Sequence, residues 1–254
     1  MKKFRGIFIK NEHEIGLLRE ANRIVAEILD RIGQVVEPGI KTSEIEVLAN
    51  EICDKYKVKP AFLGYCGFPH SICCSVNEEI VHGFPSERDL KAGDIVSFDM
   101  GTVYHGFHGD AARTFAVGQV SPAAARLMEA TKTGLEKGIE QAIPGNDLYD
   151  ISRAVEEVAN DYGYQVIKRF VGHGIGANLH EKPEIPNFVP KRASRLPLKS
   201  GMVLAIEPMF AEGTDQVKIL SDRWTAVTKD GSLSAHFENT IAITHEGPRI
   251  LSKL

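Results

Sequence analysis

The chain has 254 residues, 43% of them hydrophobic and 25% charged, and its formal net charge is -4 at pH 7. This composition is typical of a globular protein with a sizeable core, and the weak charge does not indicate a surface for nucleic acid or membrane. No segment approaches the roughly 20 apolar residues of a membrane span, and the apolar run before Lys10 is too short for a secretion signal. The four cysteines form no Cys-x-x-Cys pair, so we expect reduced thiols in a cytoplasmic protein.

The first part of the chain predicts two helices joined by a turn. Apolar residues recur at helical spacing from Glu12 to about Val36, and Pro38-Gly39 ends that helix. A second helix follows, with Thr42 or Ser43 expected as its cap because a hydroxyl can accept from the first free backbone N–H groups.

The second half repeats this order. A helical pattern over about residues 123–142 precedes Pro144-Gly145 and another helical pattern, and the two Pro-Gly turns lie 106 residues apart. The segments Leu90–Asp99 and Leu198–Glu207 share the pattern Leu-Lys-x-Gly, an apolar run and a final carboxylate, at an offset of 108 residues. Two matches at nearly one offset indicate an internal duplication.

Strand patterns follow each pair of helices. Residues 106–117 form a turn and an alternating strand, and residues 233–243 are expected to form the corresponding strand of the second half. We therefore predict an α+β fold, with two pseudo-symmetric halves (about 12–117 and 123–245), a central antiparallel sheet and helices on its outer face. Because no linker separates the halves, we expect one domain over 1–254.

Acidic residues stand at strand positions in both halves. Alternation places Asp99 on one strand face with Ser97, while Phe98 takes the other face. A single acid on a strand is more often a satisfied core or edge residue, but four of them in paired repeats indicate a cation site. The four are Asp99, Asp110, Glu207 and Glu238.

A histidine within a glycine-rich segment, His173 in Gly-His-Gly-Ile-Gly, is the fifth candidate ligand. Carboxylates with one imidazole suit divalent manganese, iron or cobalt, whereas zinc is less favoured by this donor set. Two bridging carboxylates would hold two metals about 3.5–4 Å apart, as in two-metal hydrolases.

The motifs Gly-Phe-His-Gly-Asp110, Gly-His173-Gly-Ile-Gly, Ile-Glu207-Pro and Glu238-Asn-Thr together resemble those of type I methionine aminopeptidases, collinearly from about residue 11 to 251. The resemblance implies the pita-bread fold around a dinuclear metal site. It also implies that Asp99 binds one metal, His173 and Glu207 bind the other, and Asp110 and Glu238 bridge.

The resemblance further implies removal of the initiator methionine from nascent proteins and peptides, with a preference for a small second residue. His82 and His180 match histidines that contact the substrate, and Glu207 would be the proton shuttle of the hydrolysis. His236 stands close to Glu238 but matches no motif that would nominate it. The expected enzyme is a cytoplasmic monomer, and the resemblance leaves contacts with the ribosome open.

A set of apolar and aromatic positions matches the methionine-binding pocket of the family. The set consists of Phe62, Tyr65, Phe68, Cys73, Leu179 and Trp224. Three of them depart from the usual residues: Phe62 replaces Cys, Phe68 replaces Tyr, and Leu179 replaces Phe. The lining still suits a thioether side chain. Asn77 and Ser234 match positions beside a monovalent cation in some relatives.

Two other interpretations stay open at this point. A proline-specific exopeptidase or a creatinase relative would have the same fold, although those enzymes usually carry a large additional N-terminal domain. A metal-free binding protein of this fold would have lost its ligands, whereas all five are present here. Hydrolysis of Met-Ala-Ser against Xaa-Pro peptides, with and without added metal, separates the three.

Overall fold

The computed structural model describes residues 2–254. The four helices are α1 (Glu12–Val35), α2 (Thr42–Tyr56), α3 (Pro122–Glu140) and α4 (Leu148–Tyr162). The strands are β1 (Lys2–Phe4), β2 (Ile7–Ile9), β3 (Lys59–Pro60), β4 (Ile72–Val76), β5 (Glu79–Val81), β6 (Ile95–Tyr104), β7 (Phe107–Ala116), β8 (Gln165–Val166), β9 (Gly172–Gly174), β10 (Glu181–Ile185), β11 (Val203–Ile206), β12 (Met209–Ala211), β13 (Val217–Ile219), β14 (Ala226–Thr228), β15 (Ser234–His236), β16 (Asn239–Thr244) and β17 (Gly247–Ile250). None of these helices is long and apolar enough to cross a bilayer.

The helices begin and end close to the predicted positions. Helix α1 starts with a capping box in which Asn11 and Glu14 each accept a hydrogen bond from the other's backbone N–H. The predicted N-cap of α2, Thr42 or Ser43, is wrong. Lys41 is the N-cap, and its side chain makes no capping hydrogen bond. The Thr42 hydroxyl instead donates to Ser86 O, and Ser43 donates to Glu87, so both side chains hold a loop rather than the helix.

The first half of the sheet carries two of the predicted carboxylates on long paired strands. Strand β6 pairs antiparallel with β4 and β7, and this register places Asp99 opposite Ala112 and Gly101 opposite Asp110. Val96, Phe98 and Met100 pack into the core that α1 and α2 cover. The predicted alternation is confirmed, since Asp99 points to the other face. Asp99 lies in the middle of β6, however, and not at its end.

The second half interrupts its strands where the carboxylates occur. Glu207 and Pro208 separate β11 from β12, and Phe237 and Glu238 separate β15 from β16. The expectation of one continuous strand over residues 233–243 is therefore wrong. A proline has no N–H to give to a ladder, which accounts for the break after Glu207.

The two halves are not equivalent at the site. The pairs on either side of the break, Ile206 with Asn239 and Met209 with His236, place Glu207 opposite Glu238. The residue opposite Asp99 in the first half is Ala112. Glu238 is thus the counterpart of an alanine, and the duplicated strands contribute carboxylates at different register positions.

Candidate metal centre and substrate pocket

Five side chains named from the sequence converge on one buried point. Ligand atoms of Asp110, His173 and Glu238 all lie within 4.8 Å of one another. His173 Nε2 is 3.7 Å from Asp110 Oδ2 and 3.7 Å from Glu207 Oε1. Asp99 lies within hydrogen-bonding reach of Asp110. Residues from β6, β7, β9 and the two strand breaks therefore form one cluster.

Strand β9 places His173 through its two glycines. A Cβ on Gly172 would lie 2.4 Å from Ala205 O, and a Cβ on Gly174 would lie 2.2 Å from Lys182 O, so no larger residue fits beside the neighbouring strands. His173 Nδ1 is 3.0 Å from Gly174 O. Because a carbonyl oxygen only accepts, Nδ1 carries the proton and Nε2 presents a lone pair to the carboxylates, as a metal ligand does.

Without a cation, the carboxylates of the cluster are buried beside one another and repel each other. Burial raises the pKa of Asp99 to about 7. Burial and the neighbouring carboxylates raise the pKa values of Asp110, Glu207 and Glu238 well above the ordinary range. Among residues 2–254, Asp99 Oδ1, Asp110 Oδ1 and Glu238 Oε1 are buried and find no hydrogen-bond partner. Unpaired buried oxygens beside a free imidazole nitrogen are the donor set that divalent cations require.

The histidines of the site are neutral at physiological pH. Burial, with a smaller effect of His180, lowers the pKa of His173 to about 3. The same two causes lower the pKa of His82 to about 4, and burial lowers the pKa of His180. Neutral imidazoles can ligate a metal or donate a single N–H to a substrate.

A cavity of about 230 Å³ opens onto this cluster of carboxylates and His173. Its lining contains all thirteen residues predicted as ligands, catalytic groups or pocket wall, together with Cys66. Phe68 packs edge-on against Trp224, with ring centroids 5.1 Å apart, so part of the wall is aromatic. The lining thus combines carboxylates and histidines with apolar and aromatic side chains.

Sequence reasoning missed two further contacts around this cavity. The ring of Phe170 packs edge-on against His82 at 5.3 Å, and His82 has a left-handed backbone with φ of 62°. His236 is buried, its Nε2 has no partner within residues 2–254, and this atom lies 3.8 Å from Glu207 Oε2. A histidine two residues before a predicted ligand was the one available signal for His236.

Asn77 and Ser234, matched to a monovalent cation position, are neighbours in space. The Ser234 backbone N–H donates to Asn77 O at 2.9 Å. The Asn77 side chain accepts from Ile95 N and donates to Asp94, and the Ser234 hydroxyl donates to Phe210 O. The proximity agrees with the match, while the cation itself stays a prediction.

The sequence model of metallopeptidase family M24 matches residues 16–245. The chain belongs to this family. The chain is similar over nearly its whole length to several curated proteins. It is 50% identical over 248 residues to a methionine aminopeptidase of Clostridium acetobutylicum, covering 97% of this chain and 98% of the relative. It is 46% identical to methionine aminopeptidase 1 of Bacillus subtilis, covering 98% of this chain and 100% of the relative.

Solved structures agree with this family M24 assignment. A methionine aminopeptidase from Thermotoga maritima superposes with a TM-score of 0.95 at 46% identity, covering 98% of this chain and 100% of that one. A prolidase from Pyrococcus furiosus shares the fold alone, with a TM-score of 0.79 at 23% identity over 97% of this chain and 65% of that one. The predicted α+β pita-bread fold is confirmed.

Proposed function

We propose that this family M24 enzyme removes the N-terminal methionine from peptides and nascent proteins by metal-dependent hydrolysis of the first peptide bond. The observation that carries the proposal is the buried cluster of four carboxylates and His173 in the lining of a cavity that also has apolar and aromatic side chains. Methionine aminopeptidases about 50% identical over nearly the full chain support the same substrate.

Asp99, Asp110, His173, Glu207 and Glu238 are the proposed ligands of two divalent ions. Their unpaired buried oxygens and the lone pair on His173 Nε2 fit such ions. Among divalent metals, manganese, iron and cobalt match this donor set better than zinc. When bound, the ions supply positive charge that polarises a carbonyl and favours deprotonated water near neutral pH.

Glu207 is the proposed proton carrier. Its Oε1 lies 3.7 Å from His173 Nε2, and its side chain lines the cavity, so it can reach a water held at the proposed metal site. A carboxyl group of this kind can take a proton from the attacking water and pass it to the departing amine. Glu207 lies at a strand break, and its side chain lines the cavity.

His180 and His82 are proposed to contact the peptide bond. Both line the cavity, and each is neutral and therefore has one N–H to donate. An N–H directed at the scissile carbonyl oxygen stabilises the charge that develops there during hydrolysis.

The apolar part of the cavity lining is proposed to hold the methionine side chain. Phe62, Phe68 and Leu179 are buried and pack in one cluster with Cys73 and Trp224. A flexible thioether packs well against aromatic rings of this kind. A cavity of about 230 Å³ is of the size of one side chain and its neighbouring groups, which supports binding of a chain end.

Several finer features belong to the same proposal. They are a single catalytic domain over 1–254, a cytoplasmic monomer, a preference for a small second residue, contact with the ribosome, and a monovalent cation beside Asn77 and Ser234. The adjacency of the last two residues supports the cation site, and the site built from both halves supports a single domain.

The test is hydrolysis of Met-Ala-Ser compared with Xaa-Pro peptides, with manganese or cobalt added to metal-free protein. We expect metal-dependent release of methionine and no cleavage of Xaa-Pro peptides whose first residue is not methionine. Asp110→Asn and Glu238→Gln should abolish both turnover and the second bound metal, measured by metal analysis, whereas the exposed Asp161→Asn should change neither. Full activity in either ligand variant would refute the two-metal site, and preference for Xaa-Pro would refute the substrate.

A further inference from the structure

Tyr65 contacts one of the proposed catalytic histidines directly. Its hydroxyl oxygen lies 2.7 Å from His180 Nδ1. The two rings are tilted by 44° with centroids 5.2 Å apart. Both residues line the mouth of the substrate cavity, so the contact is part of the site rather than of the core.

A strained turn holds Tyr65 in this position. The backbone of Gly64 has φ of 82°, and that of Cys66 has φ of 49°, which is unfavourable for a residue with a Cβ. Tyr65 N donates to Phe62 O, and Phe68 N donates to Tyr65 O, each at 2.9 Å. A conformation of this kind persists only where its surroundings impose it, and it is frequent at functional sites.

His180 also contacts a proposed metal ligand. The rings of His180 and His173 are in edge-to-face contact, with centroids 4.3 Å apart. The His180 ring thus contacts both Tyr65 and His173. Because an imidazole has two nitrogens and Tyr65 takes Nδ1, Nε2 is the nitrogen left for a substrate.

The direction of the hydrogen bond follows from acidity. A phenol is a stronger proton donor than a neutral imidazole N–H, and an imidazole nitrogen is a stronger acceptor than a phenol oxygen. Burial raises the pKa of Tyr65, so the phenol keeps its proton, and a neutral imidazole carries its one proton on the nitrogen that does not accept a hydrogen bond. The hydroxyl therefore donates to Nδ1, and the imidazole proton is on Nε2.

We propose that Tyr65 is a positioning residue: its hydroxyl fixes the Nε2–H tautomer and the ring orientation of His180, so that Nε2–H donates to the carbonyl oxygen of the scissile bond. The kinetic role rests on the proposed function, whereas the tautomer does not. Without the hydroxyl, the ring is free to rotate or to present a lone pair, which would repel the developing oxyanion.

The tautomer is tested by long-range ¹H–¹⁵N spectra of the histidine rings in metal-free and zinc-loaded protein, with His180 assigned from its loss in His180→Ala. We expect the Nε2–H pattern in the unsubstituted protein and a shifted Nδ1 resonance in Tyr65→Phe. A proton on Nδ1, or an Nδ1 resonance that Tyr65→Phe does not change, would overturn the proposal. Neither result depends on peptide hydrolysis.

The kinetic consequence is tested with Tyr65→Phe, which keeps the ring as a pocket wall. We expect kcat for Met-Ala-Ser to fall about 3- to 10-fold, as for one hydrogen bond in a partly exposed site, with KM changed less than about 2-fold. In a His180→Ala background, Tyr65→Phe should have no further effect. Tyr104→Phe removes a hydroxyl outside the cavity and should leave kcat unchanged. An unchanged kcat in Tyr65→Phe, or an equal loss in both backgrounds, would refute the positioning role.

Discussion

Replacing Asp99 with asparagine should stabilise the metal-free protein at neutral and alkaline pH and weaken its binding of divalent metal. Asp99 is one of four carboxylates in the buried cluster, and its Oδ1 has no hydrogen-bond partner among residues 2–254. An ionised carboxylate in that position is repelled by its neighbours unless a cation is present. Asparagine has nearly the same shape and no charge, so it removes the repulsion without leaving a cavity.

The magnitude follows from the pKa of Asp99. Burial raises this pKa from 3.8 to about 7, and each unit corresponds to about 1.4 kcal/mol of free energy. The cost of ionising the group in the folded protein is therefore about 4 kcal/mol at most, and water in the cavity lowers that figure. Since the folded-state pKa is raised, the unsubstituted protein carries no such cost below about pH 3.8; the cost develops as pH rises and is complete above about pH 7, where asparagine removes it.

The assay is urea unfolding of the two metal-free proteins at several pH values between 5 and 8, followed by circular dichroism. Burial lowers the pKa values of His173 and His236 to about 3, which makes stability rise with pH toward about 6.5, opposite in sign to the effect of Asp99. Both proteins contain these histidines, so the difference between them isolates the carboxylate cluster. Asp161→Asn, at an exposed helix position, is the matched control and should show no pH-dependent difference.

Added manganese should reverse the order of stability. The unsubstituted protein gains free energy from binding, whereas Asp99→Asn, with one ligand oxygen weakened, gains less. The reasoning would be refuted by a stability difference that does not grow between pH 5 and pH 8, or by equal stabilisation of both proteins by metal.

Three further changes test how the site is supported. Lys10→Met should lower the free energy of unfolding in urea by about 3–5 kcal/mol, because it leaves the carboxylate of Glu181 without its partner at 2.7 Å, and the Glu181 side chain is 1% exposed. Changing both residues to methionine should recover most of this loss, and a failure to recover would show that the unpaired charge is not the cause. Gly109→Ala should lower the free energy of unfolding by about 1–3 kcal/mol, because the added Cβ would lie 2.6 Å from the backbone of α1. Its control, Gly16→Ala, should be neutral or stabilising, because the added Cβ meets open space within the described residues. Phe62→Ala should lower kcat/KM for an N-terminal methionine about tenfold or more, and an unchanged value would remove this ring from the methionine site.

Local features of the sequence were sufficient for the helices. The helical spacing from Glu12 onward predicted α1 to within one residue of its observed end at Val35, because one buried face repeats every 3.6 residues wherever the helix packs. The cap of α2 could not be derived in the same way. Thr42 and Ser43 have suitable side chains, but a distant loop at residues 86–87 binds them, and that competition is visible only in the folded chain.

The sequence by itself determined which residue types could make the site. Asp99, Asp110, Glu207, Glu238 and His173 were named from motifs and from the improbability of several acids on apolar strands, and these five residues converge in the structure. Burial of a charge is costly wherever it occurs, so a repeated charge in apolar strands has few explanations, and this is why the sequence could group these residues.

Only the tertiary structure decided how these groups act on one another. His236 Nε2 lies close to Glu207, and Tyr65 contacts His180, although the residues of each pair are far apart in the sequence. The strand breaks at Glu207 and Glu238 also belong to the folded sheet. The distances within these pairs depend on strand register and on turns with positive φ, which the whole fold sets. A one-residue change of register would turn Asp99 and Asp110 to the opposite faces of their strands, so the sequence could name candidate ligands but not the hydrogen bonds that orient them.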